Sequence, residues 1–311
     1  LQIAMTMLLK PGHDWFFSYY REKALAFGLG MCAKDIFLNM LSRKDDPSSE
    51  GRNMPEHFSS QPLRLVSMTA CTGTQFLPAV GMAKAVRMNG GDEVVYVSSG
   101  EGATSEGEFF ESLNWAAREK LPVLFVIQNN GYAISVPQEQ QTISEIHRIA
   151  RGFGLPTYDL DGTRCEPIYQ IVPPLIARIR EGYGPALVEA RVIRMDPHSS
   201  SDDQRKYRSE LELEQMREQD PLLLLERYLL KQHLLIREQL DSIHSEIEDE
   251  VRKAAEQADE SSAPDPALAL THIYSEGIQM PQERAPSYIS DEPITMIDAI
   301  NHGLREEAER N

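Results

Sequence analysis

The sequence predicts an α/β chain, with a parallel sheet covered by helices on both faces and a helical C-terminal extension. Three observations point there. Between residues 62 and 193 short apolar runs alternate with amphipathic stretches, the pattern of strands joined by crossover helices. LPVLFVI (121–127) is a continuous apolar run of strand length, as a strand buried on both faces requires. From 211 to 259 apolar positions recur at three- and four-residue spacing in a highly charged background, which is helical.

Residues 11–42 read as helix with loops, and RKDDPSSEGRNMPEHFSSQ (43–61) as a polar surface loop long enough to suggest function. FLPAVGMAKAVRMNG (76–90) is an amphipathic helix, EVVYVSS (93–99) a strand, EGEFFESLNWAAREK (106–120) a helix and PVLFVI (122–127) a strand. TISEIHRIARG (142–152) is a short helix, and EPIYQIVPPLIARIREG (166–182) a helix kinked or started at Pro173-Pro174. PALVEARVI (185–193) is a strand. DPHSSSDDQRKYRSE (196–210) lacks apolar periodicity and reads as a surface loop. The charged helices of 211–259 are most simply a solvated face with subunit contacts, and SSAPDP (261–266) breaks them. GIQMPQERAPSYISDEP (277–293) leads into a last amphipathic helix, ITMIDAINHGLREEAER (294–310). The expected domains are 1–260, a linker over 261–293, and the beginning of a further domain at 294–311. There is no internal repeat.

The length suits one large α/β domain with appendages, or two domains, and 41% hydrophobic with 25% charged residues is an ordinary globular composition. Forty-eight acids against 31 bases leave a net charge of −17, which argues against nucleic acid or an anionic membrane as the main partner. A local cradle can still bind phosphate inside an acidic protein. The 3 cysteines, Cys32, Cys71 and Cys165, show no metal or redox spacing and read as reduced thiols of a cytosolic-type compartment. No apolar run reaches transmembrane length and no signal segment opens the chain. Leu1 is not a methionine, which predicts a natural N-terminus further upstream.

Ligands of open parallel sheets sit outside the carboxyl ends of the strands. Two consecutive strands here end in SSGEGATSEGEF and QNNGYAIS, with 26 residues (103–128) between Gly102 and Asn129. That is enough for one helix and one strand, so both loops fall on the same edge of the sheet. Glu101 offers a carboxylate, Asn130 an amide oxygen and Tyr132 a backbone carbonyl. Three hard oxygens suit octahedral Mg²⁺, with water and diphosphate oxygens filling the remaining positions. Gly100 and Gly102 let the backbone approach phosphates, and the N-terminus of a helix over 103–120 directs donors at them. Asn-Gly alone is ordinary turn chemistry, and Gly-acid-Gly alone is a common turn; the two at this spacing carry the information.

This arrangement resembles the motif of thiamine diphosphate-dependent enzymes, GDG followed at a similar distance by NN. Glu101 replaces the usual aspartate and is one methylene longer. NNGYAIS beside GEGATSEGEF is similar to the α subunit of branched-chain 2-oxo acid dehydrogenase, whereas pyruvate and acetoin relatives more often show GDG and a different pair after NN. SYYREKALAFGLG (18–30) resembles the family's YRE segment, which implies that Tyr20 and Arg21 hold the cofactor diphosphate. GRNMPEH (51–57) resembles its GR-x-MP-x-H loop, with no chemistry assigned to His57. TACTGTQ (69–75) resembles the turn bordering the cofactor, which implies a cofactor contact at Thr72 and a potassium site at Thr69, Thr74 and Gln75 as in some relatives. Gly100, Glu101, Gly102, Ala103, Gln128, Asn130 and Ile134 are implied cofactor contacts. Gln128 takes the place where many relatives carry an arginine touching diphosphate. PHSSSDDQRKYRS (197–209) resembles the serine-rich active-site loop. His198 matches a histidine of the cofactor pocket that serves proton transfer and acyl transfer to lipoamide. Ser199, Ser200 and Ser201 match positions phosphorylated in mitochondrial relatives, though capping and loop solvation explain them here.

The resemblance implies a thiamine diphosphate-binding fold with thiamine diphosphate, Mg²⁺ and, in some relatives, K⁺ as cofactors. The implied reaction is oxidative decarboxylation of a branched-chain 2-oxo acid, with acyl transfer to a lipoyl-lysine on the lipoyl domain of an acyltransferase component. ITMIDAINHGLREEAER is similar to the opening helix of the family's β subunit, as in chains that fuse α and β. The β part supplies an activating glutamate for the cofactor, so residues 1–311 alone are expected to be inactive. The implied compartment is the bacterial cytoplasm, or the mitochondrial matrix in a eukaryote. A pyruvate or acetoin dehydrogenase α subunit remains an alternative within the class. A transketolase-type enzyme is disfavoured by different flanking segments, and a non-catalytic assembly scaffold by the intact Glu101, Asn130 and His198.

Overall fold

Seven strands are found among the described residues, 1–273 and 293–310 of a computed structural model. They are β1 (Trp15–Phe17), β2 (Val95–Gly100), β3 (Val123–Asn129), β4 (Tyr132–Ala133), β5 (Val136–Pro137), β6 (Thr157–Asp161) and β7 (Ala186–Arg191). Five of them form one sheet in the order β1-β2-β3-β7-β6, and every pair in it is parallel. β4 and β5 make a separate antiparallel hairpin. α1 (Gln2–Leu8) precedes the first strand, and the helices that follow or connect the strands are α2 (Lys23–Leu29), α3 (Ala33–Met40), α4 (Phe76–Met88), α5 (Gly107–Glu119), α6 (Ile146–Arg151) and α7 (Cys165–Arg180). Then come α8 (Glu210–Glu218), α9 (Pro221–Lys231), α10 (Arg237–Glu260) and α11 (Met296–Arg310). Residues Leu1–Pro266 form one compact unit and Ala267–Asn311 a second.

Successive side chains of a strand point to opposite faces, and β3 feeds two cores in this way. Leu124 and Val126 join Tyr96 and Val188 beneath α1, α2, α3 and α7, where Met5, Leu25, Ile36, Val172 and Ile176 are buried. Val123, Phe125 and Ile127 join Val95, Val97 and Leu187 beneath α4, α5 and α6, where Phe76, Val80, Phe109, Leu113 and Ile146 are buried. A strand that supplies both cores has no polar face, which is why LPVLFVI is apolar throughout. At the end of the sheet remote from the β2 and β3 loops, Arg180 of α7 makes two 2.9 Å hydrogen bonds to Asp14, whose side chain is fully buried.

The parallel sheet, its cover of helices on both faces and the helical extension are borne out. Two strands of this sheet were not anticipated: β1 lies inside the stretch read as helix and loop, and β6 between two helices; nor was the β4–β5 hairpin. Tyr20 and Arg21 lie in a turn before α2 rather than on a helix. The segment after Gly100 first makes a short 3-10 turn, Glu101–Ser105, and α5 begins only at Gly107, not at 103. α7 runs unbroken through Pro173 and Pro174 instead of starting there. Most of the expected 261–293 linker, residues 274–292, lies outside the described residues. Among the described residues no helix is long and apolar enough to cross a membrane.

Candidate functional site

The register of the sheet sets Gly100 of β2 against Gln128 of β3, so the two loops leave the sheet side by side. Glu101, only 3% exposed, receives a hydrogen bond on Oε2 from the Asn130 backbone N–H at 3.2 Å. Among the described residues, Glu101 Oε1 and Asn130 Oδ1 are both buried and without a hydrogen-bond partner. Buried oxygens left without partners are costly, and these two belong to residues joined by the Asn130 N–H bond to Glu101. Burial raises the Glu101 carboxyl above its ordinary pKa; its own and the Asn130 backbone N–H groups and Arg194 oppose this, and Glu189 adds to it. A divalent cation would satisfy both oxygens and favour the ionised carboxylate, so these residues fit Mg²⁺. Among the described residues no three His, Cys, Asp or Glu side chains cluster, so further ligands would come from carbonyls, water or a bound anion. Gly102 is required where the loops touch, because a Cβ there would sit 2.6 Å from Ala133 Cβ. Ala103 is buried beside it.

The two asparagines have different surroundings. Asn129 is buried, and its Nδ2 donates to Glu189 Oε1 at 2.6 Å and to Gln138 Oε1 at 2.8 Å. Its Oδ1 accepts from the Gly131 N–H at 2.9 Å, and Gly131 turns the chain at φ +81°. The lobe that follows carries Tyr132 in β4 and, at its tip, an exposed Ile134 in the left-handed region at φ 56°.

On the other face of the sheet, Tyr20 stacks on His57 with ring centres 4.8 Å apart, and the Arg21 guanidinium lies 5.2 Å from the Tyr20 ring centre. Arg21 Nη2 is 3.5 Å from His198 Nε2, bringing together two residues far apart in sequence. The next residue, Glu22, is buried, and Gln128 donates its amide to Glu22 Oε1. The Gln128 Oε1 accepts from Gln2 at 3.0 Å, so both ends of this amide are engaged within the chain. Burial pushes the Glu22 carboxyl up to about 8, against a smaller opposing effect of Ser98.

The loop after β7 is folded around His198. The His198 backbone N–H donates to Asp202 Oδ2 at 2.7 Å, and the Tyr207 hydroxyl donates to the same oxygen at 2.5 Å. Arg194 donates to the Tyr207 hydroxyl at 2.8 Å, and Arg208 to the Arg194 carbonyl at 2.8 Å. The Arg208 guanidinium lies 4.5 Å from the Tyr132 ring centre, joining this loop to the NNGY lobe. Burial and then Arg21 and Arg194 hold the His198 imidazole below its ordinary pKa, against Asp202. A neutral imidazole can accept from Arg21 at Nε2 and exchange a proton near neutral pH.

In the 69–75 turn the Thr69 and Thr74 hydroxyls are 2.9 Å apart, and Thr74 donates to the Cys71 carbonyl. Gln75 donates its amide to the Ser98 carbonyl at 2.9 Å, holding the end of β2. Thr72 is exposed, and Gly73 packs where a Cβ would meet Glu106 Cγ at 2.9 Å. The turn therefore abuts the loop that carries Glu101. Reading the sequence missed Glu22, Glu189, His147 and Arg194. Glu189 left a signal, an acid inside the apolar strand PALVEARVI; Arg194 left none.

The dehydrogenase E1 component family matches residues 1–267. The 2-oxoisovalerate dehydrogenase subunit alpha of Bacillus subtilis is 37% identical over 275 residues, covering 88% of this chain and 83% of the relative. Its mitochondrial namesake from Mus musculus is 31% identical over 265 residues, 85% of this chain and 60% of the relative. The pyruvate dehydrogenase E1 component subunit alpha of Staphylococcus aureus is 30% identical over 241 residues, 77% of this chain and 63% of the relative. The chain thus spans less than two thirds of the length of the latter two. With a match running from its first residue to Ala267, through every loop of the site, this chain belongs to the dehydrogenase E1 component family.

Proposed function

We propose that this chain is the α-type part of a branched-chain 2-oxo acid dehydrogenase, decarboxylating 3-methyl-2-oxobutanoate and related acids and passing the acyl group to a lipoyl-lysine. The carrying observation is the pair of buried, unpartnered oxygens on Glu101 and Asn130, where a cation-held diphosphate is expected to sit. The branched-chain assignment is supported by the Bacillus subtilis relative at 37% identity, against 30% for the Staphylococcus aureus pyruvate relative.

Thiamine diphosphate, when bound, supplies the electron sink for loss of CO₂. Glu101, Asn130 and the Tyr132 carbonyl would hold Mg²⁺. The backbone at Gly100, Gly102 and Ala103, with Tyr20 and Arg21, would hold the diphosphate, and Thr72, Gln128 and Ile134 would border the cofactor. His198, kept neutral beside Arg21, would hold and return a proton at Nε2 as the acyl group leaves for the lipoyl domain. Thr69, Thr74 and Gln75 would hold K⁺, although two of them already bond each other. A β-type domain or subunit would supply the activating glutamate.

The test is turnover by the complete native assembly with thiamine diphosphate and Mg²⁺, followed by reduction of an artificial electron acceptor. Preference for 3-methyl-2-oxobutanoate and 4-methyl-2-oxopentanoate over pyruvate is expected. Preference for pyruvate would overturn the branched-chain assignment and leave the cofactor site standing; no turnover with any 2-oxo acid would overturn the enzymatic reading.

A further inference from the structure

Glu189 is a carboxylate in the middle of β7, only 2% exposed, and it is opposed in register by Ile127 of β3. Residues 127 and 129 share a face of β3, so Glu189 reaches diagonally to Asn129. Both of its oxygens are used. Oε1 accepts from Asn129 Nδ2 at 2.6 Å. Oε2 accepts from the His147 backbone N–H at 2.8 Å and lies 2.7 Å from His147 Nδ1. Asn129 is equally committed, through its bonds to Gln138 Oε1 and the Gly131 N–H. The Gln138 N–H returns to the Gly131 carbonyl at 2.9 Å and closes the lobe on itself. The lobe of residues 129–138, which carries Asn130 and Tyr132, is therefore rooted in Asn129, and Asn129 is held by a buried anion.

We propose that Glu189, with His147 clamped behind it, is a positioning residue for divalent-cation binding: it fixes Asn129 so that Asn130 stays against Glu101. The inference rests on the cofactor reading above. A purely structural role would affect folding and leave cation affinity alone. A positioning role separates the two, as expected of groups that orient metal ligands from behind.

The experiment uses the complete native assembly, stripped of divalent ions, with thiamine diphosphate present and Mn²⁺ titrated in. Bound Mn²⁺ is read from the loss of the free-ion electron paramagnetic resonance signal, and turnover is measured in parallel. Glu189→Gln keeps the shape but places a donor against donors, and it should raise half-saturating Mn²⁺ by about 10- to 100-fold. Its turnover at saturating Mn²⁺ should fall by less than about threefold. His147→Ala keeps Glu189 and the backbone bond, and should shift half-saturation the same way by a smaller factor, even where Glu189→Gln does not assemble. Unchanged Mn²⁺ affinity in an assembled variant, or a loss of turnover that saturating Mn²⁺ does not restore, would overturn the proposal. Failure of the wild-type assembly to bind Mn²⁺ would overturn it together with the cofactor reading. Wild-type saturation matched by both variants would overturn this inference alone.

Discussion

Glu101 and Asn130 stand at the ends of neighbouring strands, joined by one 3.2 Å bond from the Asn130 N–H to Glu101 Oε2, and each keeps a buried oxygen with no hydrogen-bond partner among the described residues. The pair is suited to a cation and poorly suited to its absence. Glu101→Gln should therefore act with opposite signs in two assays. It removes a carboxyl whose charge burial disfavours and supplies a donor, so the cofactor-free assembly should gain about 1 kcal/mol, or ~2–4 °C in Tm. The same change should raise half-saturating Mg²⁺ at least about tenfold. Thermal melts and Mg²⁺ titrations of the same preparation check both signs.

His198 is expected to work as a neutral imidazole. Burial, Arg21 and Arg194 hold its pKa below the usual histidine value, so the group stays unprotonated down to more acid pH than a free histidine. The acid limb of kcat/KM for acyl transfer should accordingly lie below pH 6.5. Replacing Arg21 by methionine removes one of the cations and should move that limb to higher pH. His198→Ala should reduce acyl transfer by about 10²- to 10⁴-fold, measured with a lipoyl domain as acceptor.

Glu22 makes stability depend on pH. Its folded pKa of about 8 lies above the ordinary 4.5, so the folded state holds the proton more tightly than the unfolded chain. Its contribution is fully present below pH 4.5 and is lost as pH rises through about 8. Glu22→Gln, which cannot ionise, should leave stability at pH 4 nearly unchanged and raise it at pH 9. Urea denaturation at the two pH values, comparing the gap between variant and wild type, measures this. A gap that does not grow with pH would show that Glu22 titrates normally.

At the opposite end of the sheet Arg180 neutralises the fully buried Asp14 through two bonds. Removing one partner of a buried pair leaves an uncompensated charge, so Arg180→Met should cost about 3–5 kcal/mol in denaturant unfolding. It lies away from the Glu101 loop, so the cation affinity of molecules that still fold should be unchanged.

Legibility in the sequence followed the physical length of each signal. β3 was visible because a strand packed on both faces must be apolar along its whole length, and the 26 residues between the two loops set both on one edge. β1 has only three residues, too few for a period to show, and β6, TYDLD, is an edge strand with exposed positions and no apolar run. Glu101 and Asn130 were legible because each ends a recognisable strand. The partner of Gln128 was not, since Glu22 lies 106 residues away and reaches it only through the fold. Glu189 announced itself as a charge in an apolar strand, but its tie to Asn129 depends on a register that no local pattern encodes.

Thiamine diphosphate binding to the complete native assembly, titrated by calorimetry with Mg²⁺ and again with a chelator, tests the central claim most directly. The account predicts saturable binding with Mg²⁺, loss of binding with the chelator, and at least about tenfold weaker binding in Asn130→Ala. Binding of equal strength in the chelator and in Asn130→Ala would show that the Glu101–Asn130 pair does not hold a cation-bound diphosphate.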